Sequence, residues 1–405
     1  MDYILFFKDN KRFITFGIMM TFFSSFGQTF LISLYVPNLI AMLGLTNAAF
    51  GGLYAGATIL GAVSLMYFGR LIDTVSLRKF SVITAVILLM SCLVIAFSGS
   101  IAGVVIGLFG LRFAGQGLLG HIALTSMSRH YEENRGKALS LSVLGFSIGE
   151  AIFPVTIGFV IGLYDWRAAL IFSAILIGII LIPLIYWLLS KVPDTTDNNE
   201  DKREKHNFSY VQLLSDKRFY IIALNGTMLP FMLTGLLFYQ IILAEQKGWA
   251  IEWMATCFIG FAVARTLGSI VSGPLVDRYS GVQLFPLYLI PFVIGVSLLA
   301  FFSHPYIALF YLSLAGFAMG LSQSVKGAVL AEMYGTRYIG TIRSLFTALG
   351  VLSTAVSPVI IGWMLDAGWN FTSISLIAAM IVTGVIMLSF LLKTEKDYII
   401  IPSQQ

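Results

Sequence analysis

Charge is scarce in this chain of 405 residues. Charged side chains make up 11% of it and hydrophobic ones 58%, whereas a soluble globular domain carries roughly 25% charged residues. A surface facing water cannot be built from so few charges. Cysteine is nearly absent: Cys92 and Cys257 both lie inside apolar runs, which argues against a disulfide framework or a zinc site and leaves packing as their role. No HExxH, Walker A, GxSxG or CxxC pattern occurs, and the few acids fall mostly in polar loops. The chain therefore does not read as an enzyme, and no metal or cofactor is expected. Without an ATP-binding segment, any work it does must draw on a gradient.

What the chain has instead is long apolar runs, at about 13–35, 48–69, 79–97, 101–127, 136–161, 168–189, 219–244, 251–275, 283–302, 306–330, 338–365 and 370–392. Each is about the ~20 residues that span a bilayer and far longer than the ~9–11 of a barrel strand. Backbone groups in hydrocarbon must be satisfied within the segment, so helices are the assignment. The sequence predicts an all-α membrane protein of twelve transmembrane helices. The first run, behind Lys8, Lys11 and Arg12, exceeds the roughly 7–15 residues of a signal core and reads as a retained helix.

The 25 Lys and Arg residues are unevenly placed. Arg112, Arg265 and Lys326 lie inside apolar runs, and only Arg167 and Lys247 sit in the odd loops. The rest occupy the termini and the loops after helices 2, 4, 6, 8 and 10, so by the positive-inside rule these are cytoplasmic, in a cell membrane. Dispersed in this way, the basic residues do not form the soluble face that nucleic acid needs. The bilayer, a small-molecule substrate and protons are the expected partners, and a monomer the expected form.

A shift of 204 positions superposes Gly69 and Asp73 on Gly273 and Asp277, Gly136 on Gly340, Pro154 on Pro358 and Gly158 on Gly362. The chain reads as a tandem duplication: a six-helix bundle over 1–190, a cytoplasmic linker over 191–217 and a second bundle over 218–405. Within the linker, Phe208, Val211, Leu214 and Phe219 suit either a short interfacial helix or a solvated segment.

Twelve helices in two repeats, with a G-x-x-x-D hairpin after helix 2 and again after helix 8, resemble the major facilitator superfamily. Gly69, Asp73, Arg78 and Lys79 fit its signature loop, while Thr74 and Ser76 depart from it; the second copy keeps Gly273, Asp277, Arg278 and Gly281 without a basic pair. Glycine there allows close helix approach, and an aspartate suits a helix N-terminus or an arginine partner. The resemblance implies a gate in which helix 2 latches to helix 11 and helix 8 to helix 5 in the outward-open state, with Arg129 and Glu332 as expected partners of Asp73 and Arg278. LRFAGQGLLG around Arg112 and GFSIGEAIFP around Glu150 resemble that superfamily's helix 4 and helix 5 motifs.

Charges inside a spanning helix cost at least ~2.5 kcal/mol each near the midplane and are functional hypotheses by default. Arg112 and Glu150 lie about 16 Å from the outer ends of helices 4 and 5, at ~1.5 Å per residue, which predicts an ion pair, structural or working. In the working version Glu150 takes up a proton and frees Arg112, and Gln116 faces the same way. Arg265, with no acid in its own helix before Asp277, is the expected anchor for a substrate carboxylate, bound bidentately. Helix 8 arginines of the monocarboxylate and oxalate–formate branches are used in this way, although helix 1 here has no Lys and Phe261 stands where an acid would be. Lys326 is expected to snorkel to the interface more than to bind ligand. His121 reads as a packed polar residue or a proton group. Gln28, Tyr239, Gln240 and Gln323, set among aromatics, are further lining candidates.

The expected function is secondary active transport of a small organic anion, a monocarboxylate by the resemblance, by proton-coupled alternating access. Two rivals stay open at this point: a proton-driven exporter of drugs or metabolites, and a non-transporting membrane sensor on the same fold.

Overall fold

The computed structural model describes residues 2–131, 134–190, 210–335 and 339–392. Among them, eleven helices are long and apolar enough to cross a membrane. They are α2 (Asn47–Asp73), α3 (Leu77–Phe97), α4 (Ile101–His130), α5 (Arg135–Leu163), α6 (Trp166–Leu188), α7 (Lys217–Phe238), α8 (Ile251–Tyr279), α9 (Gly281–Phe301), α10 (Tyr306–Tyr334), α11 (Ile342–Asp366) and α12 (Phe371–Ser389). The run before them, residues 11–43, is called α1 here and is the exception.

The sequence predicts one uninterrupted first helix, but α1 is broken. It consists of Lys11–Phe23, a 3₁₀ turn over Ser24–Gly27, Thr29–Ile32 and Val36–Leu43. Gln28 adopts extended backbone (φ −83°, ψ 149°) between two pieces. The break has a packing cause. Gly27 lies against the backbone of α4, where a Cβ would stand 2.2 Å from Leu111 O and 2.3 Å from Gln116 N. The serines beside it have low helix propensity.

Helix starts follow the sequence chemistry. Thr46, Ser76, Ser100, Asp165 and Asn370 each cap a helix by accepting a backbone N–H three residues on. The predicted seventh run, 219–244, is two helices: α7 ends at Phe238, and Gln240–Lys247 continues after Tyr239. A short helix, Tyr210–Ser215, precedes α7, while most of the expected linker, 191–209, lies outside the described residues.

Interhelical contacts rely on small residues. The tightest crossing joins α8 to α10: a Cβ on Gly316 would stand 2.2 Å from Phe261 O, and one on Gly320 2.2 Å from Arg265 O. Helix α5 presses on α1 through Gly145, whose Cβ would meet Ile18 O at 2.2 Å, and Thr21 Oγ1 donates to Ser142 O at 2.6 Å there. Helix α1 is thus a close packing partner of α5.

Helices from before and after the linker meet away from the basic loops, where α2 packs on α11, α5 on α8 and the end of α7 on α1. Helix α2 meets α11 through Gly51, where a Cβ would stand 2.7 Å from Pro358 O. Asp366, at the end of α11, accepts from Asn47 N (3.0 Å), Asn47 Nδ2 (2.8 Å) and Ala48 N (2.8 Å) at the start of α2. Helix α5 meets α8 on the side away from the basic loops, where a Cβ on Gly158 would stand 3.3 Å from Ala255 Cβ.

Candidate functional site

The four interior charges fall into three arrangements, and none is the Arg112–Glu150 pair that the sequence predicts. Glu150 pairs with Arg265 instead: Arg265 Nη1 donates to Glu150 Oε1, with side chains 14% and 9% exposed. The second oxygen, Glu150 Oε2, is buried without a hydrogen-bond partner. Matching depth on adjacent helices does not decide which way a side chain points. Gly149 faces α1, where its Cβ would stand 2.1 Å from Ser25 Oγ, so the next residue, turned by ~100°, faces α8. Arg265 is therefore already neutralised.

Arg112 is buried between α1, α2 and α4. Its Nε donates to Thr58 Oγ1 (3.1 Å), its Nη1 to Gly27 O (2.9 Å), and its guanidinium lies over the Tyr54 ring, 5.0 Å from the centroid. A cation–π contact of this kind is worth up to ~2 kcal/mol when desolvated. Gln116 does not share these surroundings. The stretch Leu111–Leu119 is π-helical, a winding that often marks functional positions, and Gln116 lines a cavity at the basic end.

That cavity measures about 540 Å³ and is walled by α7, α9, α10 and α11, with Gln116 contributed by α4. Its polar groups are Gln116, Gln323, Lys326, Arg343, Thr347 and Thr354, and no carboxylate lines it among the described residues. Lys326 does not snorkel outward as expected, because a backbone acceptor lies within its reach inside. Its Nζ donates to Gly226 O at 2.6 Å and stands 5.8 Å from the Tyr288 ring centroid. No carboxylate pairs with it among the described residues.

The remaining lining candidates take other positions. Tyr239 and Gln240 are buried at the junction away from the basic loops: Tyr239 Oη donates to Asn47 O (2.7 Å) and Pro358 O (3.0 Å), and Gln240 Nε2 to Phe30 O (3.0 Å) and Ser33 Oγ (2.6 Å). They tie the end of α7 to α1, α2 and α11 and do not line the cavity. Gln28 sits in the break of α1, its Nε2 3.5 Å from Ser24 Oγ.

In the first hairpin, Arg129 Nη2 donates to Asp73 Oδ1, and Arg78 Nη2 to Leu189 O at 2.7 Å. Lys79 N donates to Ser76 Oγ. His121 Nε2 lies 3.1 Å from Gly69 O, which puts it at the foot of this hairpin and away from the interior charges. The second hairpin departs from expectation. Glu332 accepts from Gly281 N (2.6 Å) and Val282 N (3.0 Å), the start of α9, while the Arg278 guanidinium lies over Tyr279. A carboxylate at a helix N-terminus is indeed present, but it is that of Glu332; Asp277 is exposed. A Cβ added to Gly273 would meet nothing within 4 Å, so no close helix approach occurs there among the described residues.

The Asp73–Arg129 side chains are 49% and 55% exposed in the ion pair, and exposed pairs contribute about 0–1 kcal/mol. Arg129→Ala is expected to change the denaturation midpoint little, and a large loss of stability on heating would show that the pair holds the fold.

The shared features of this arrangement extend to known proteins. A family profile described as Major Facilitator Superfamily matches residues 17–259 and 240–403. The chain belongs to the Major Facilitator Superfamily. It is therefore a multi-pass membrane transporter that moves a small molecule by alternating access, not a catalytic enzyme. A superfamily relative is the cis,cis-muconate transport protein of Acinetobacter baylyi, 22% identical over 391 residues, covering 93% of this chain and 89% of that protein. The fold is shared with a bacterial homologue of the human lysosomal transporter Spinster in an inward-facing and occupied conformation. That structure is 14% identical with a TM-score of 0.71, and the match covers 94% of this chain and 93% of that one. The nucleoside transporter NupG matches at 14% identity and a TM-score of 0.72, over 95% of this chain and 99% of that one. The monocarboxylate and oxalate–formate branches are not among these relatives, so the resemblance narrows to the superfamily as a whole.

Sequence reasoning misses three contributors. From the sequence Arg343 is only a basic residue near the start of α11, Asp366 only the end of an apolar run, and Thr58 carries no signal. A carboxylate following the last apolar residue of α11 is the available clue to Asp366.

Proposed function

We propose that this transporter carries a small organic anion and couples its movement to protons, with both termini and the basic loops in the cytoplasm and the two six-helix repeats rocking about the central site. The observation that carries the reading is Lys326, an ammonium inside a cavity of about 540 Å³ that has no carboxylate among its described lining residues. An ammonium has three donors, and Gly226 O takes one of them. The cavity thus offers an anion both charge and hydrogen bonds. The muconate for which the Acinetobacter relative is named is a cargo of that chemistry.

With the basic loops cytoplasmic, the contacts of α2 with α11 and α5 with α8 close the outer side, and the cavity faces inward. The Glu150–Arg265 pair then has a working role. In the outward-open form α5 and α8 separate, Glu150 loses its cation, and its carboxylate takes up a proton at Oε2, the oxygen without a partner. Arg265 is then free for the cargo carboxylate. On closure of the outer side Glu150 gives up its proton and pairs again with Arg265, and the displaced anion passes to the Lys326 cavity. One proton and one carboxylate enter per cycle.

The test is ligand-induced thermal stabilisation of the purified chain across small carboxylates, cations and neutral drugs, in wild type and Lys326→Gln. Stabilisation by carboxylates that falls at least tenfold in apparent affinity in the variant supports the reading. Stabilisation by cationic or neutral compounds alone, indifferent to the substitution, replaces it with the drug or metabolite exporter.

A further inference from the structure

Two cations share the inward cavity, and the second has no place in the cycle above. Arg343, near the start of α11, lines the same wall as Lys326 and is exposed at the cavity mouth. The backbone between them is kept clear. Gly327 follows Lys326, and a Cβ there would stand 3.0 Å from Arg343 Nη2, so the guanidinium packs over the backbone at this glycine. No carboxylate pairs with Arg343 among the described residues. Two like charges held around one cavity repel each other, and no carboxylate among the described lining residues offsets that.

We infer that the Lys326–Arg343 cavity is a two-point site for a dicarboxylate, with one carboxylate on the Lys326 ammonium and the other on the Arg343 guanidinium, which binds such a group bidentately. Gln323, one turn from Lys326 on α10, and Gln116, reaching in from α4, line the same cavity with amide donors. A dianion neutralises both cations; a monoanion leaves one uncompensated. Selectivity between the two then rests on Arg343, a residue at the mouth, while affinity for any carboxylate rests on Lys326. This rests on the organic-anion reading and sharpens it against the monocarboxylate that the sequence suggests.

The experiment compares cis,cis-muconate with its monomethyl ester, nearly the same shape with one charge fewer, by calorimetric titration of the full chain in nanodiscs. Wild type is expected to bind the diacid at least tenfold more tightly than the monoester. Arg343→Gln is expected to remove that preference by weakening the diacid alone. Lys326→Gln weakens both ligands. Equal binding of diacid and monoester by wild type, or equal weakening of both by Arg343→Gln, overturns the two-point site and leaves the organic-anion reading intact. If neither ligand binds, and succinate and benzoate do not bind either, both fail together.

Discussion

Replacing Arg265 by Met lowers the stability of the solubilised chain by about 3–5 kcal/mol, the usual cost of leaving a buried charge without its partner. The expectation follows from the burial of the pair and from Glu150 Oε2, which already lacks a hydrogen bond; with Arg265 gone, both oxygens lack one. Removing the carboxylate as well reverses the loss. A buried pair replaced by apolar residues of similar volume is often neutral or stabilising, so Glu150→Leu with Arg265→Met is expected to unfold close to wild type in a denaturant titration. Glu150→Gln imitates the protonated acid. It is expected to retain Arg265, weaken the tie between α5 and α8, and make uptake independent of pH. If Arg265→Met is as stable as wild type, or the double variant as weak as the single one, the pair is not the interior contact described here.

Gly362→Ala is expected to hold the outer side open and reduce transport to background. The added Cβ would stand 2.5 Å from Tyr239 Oη, 2.7 Å from Asn47 C and 2.8 Å from Ala48 N. Two of these atoms are backbone, so relief requires α11 and α2 to separate. Separation in turn draws Asp366 from the N–H groups at the start of α2, which it caps from across the junction, and Tyr239 from its two carbonyls. Spin labels at Ala49→Cys and Ala367→Cys, exposed on either side of this junction, are expected to shift to longer distances in the glycine variant. An unchanged distance distribution with unchanged transport would show that the junction tolerates the methyl group and is not a gate.

Hydropathy makes the spanning helices legible because a bilayer demands long apolar runs, and most observed bounds lie within a few residues of those runs, although the seventh run is divided at Tyr239. It fails at α1, where a hydrophobic stretch hides a backbone break imposed by Gly27 packing on α4. Of the expected lining residues, Gln116, Gln323 and Lys326 border the cavity and Gln28, Tyr239 and Gln240 do not, and the interior ion pair is not the one the sequence predicts. Position along a helix gives the depth of Glu150 and Arg112, but the partner is set by which neighbour each face meets, and that depends on packing across helices. Arg265 is legible as an interior cation, though its acid lies 115 positions away. The inward turn of Lys326 is not legible, because nothing in its own helix announces the carbonyl of Gly226. Asp73 and Arg129 are legible as a pair because both lie at hairpin ends on the same side.

The measurement that tests the central claim most directly is uptake of cis,cis-muconate by proteoliposomes holding the full chain under an imposed inward proton gradient, with internal pH followed by a trapped dye. The account predicts that anion and protons enter together, that uptake stops when the gradient is collapsed, that Lys326→Gln abolishes it, and that Glu150→Gln uncouples it from pH. Gradient-driven movement of cationic or neutral compounds, with no carboxylate transported and no effect of either substitution, would contradict it.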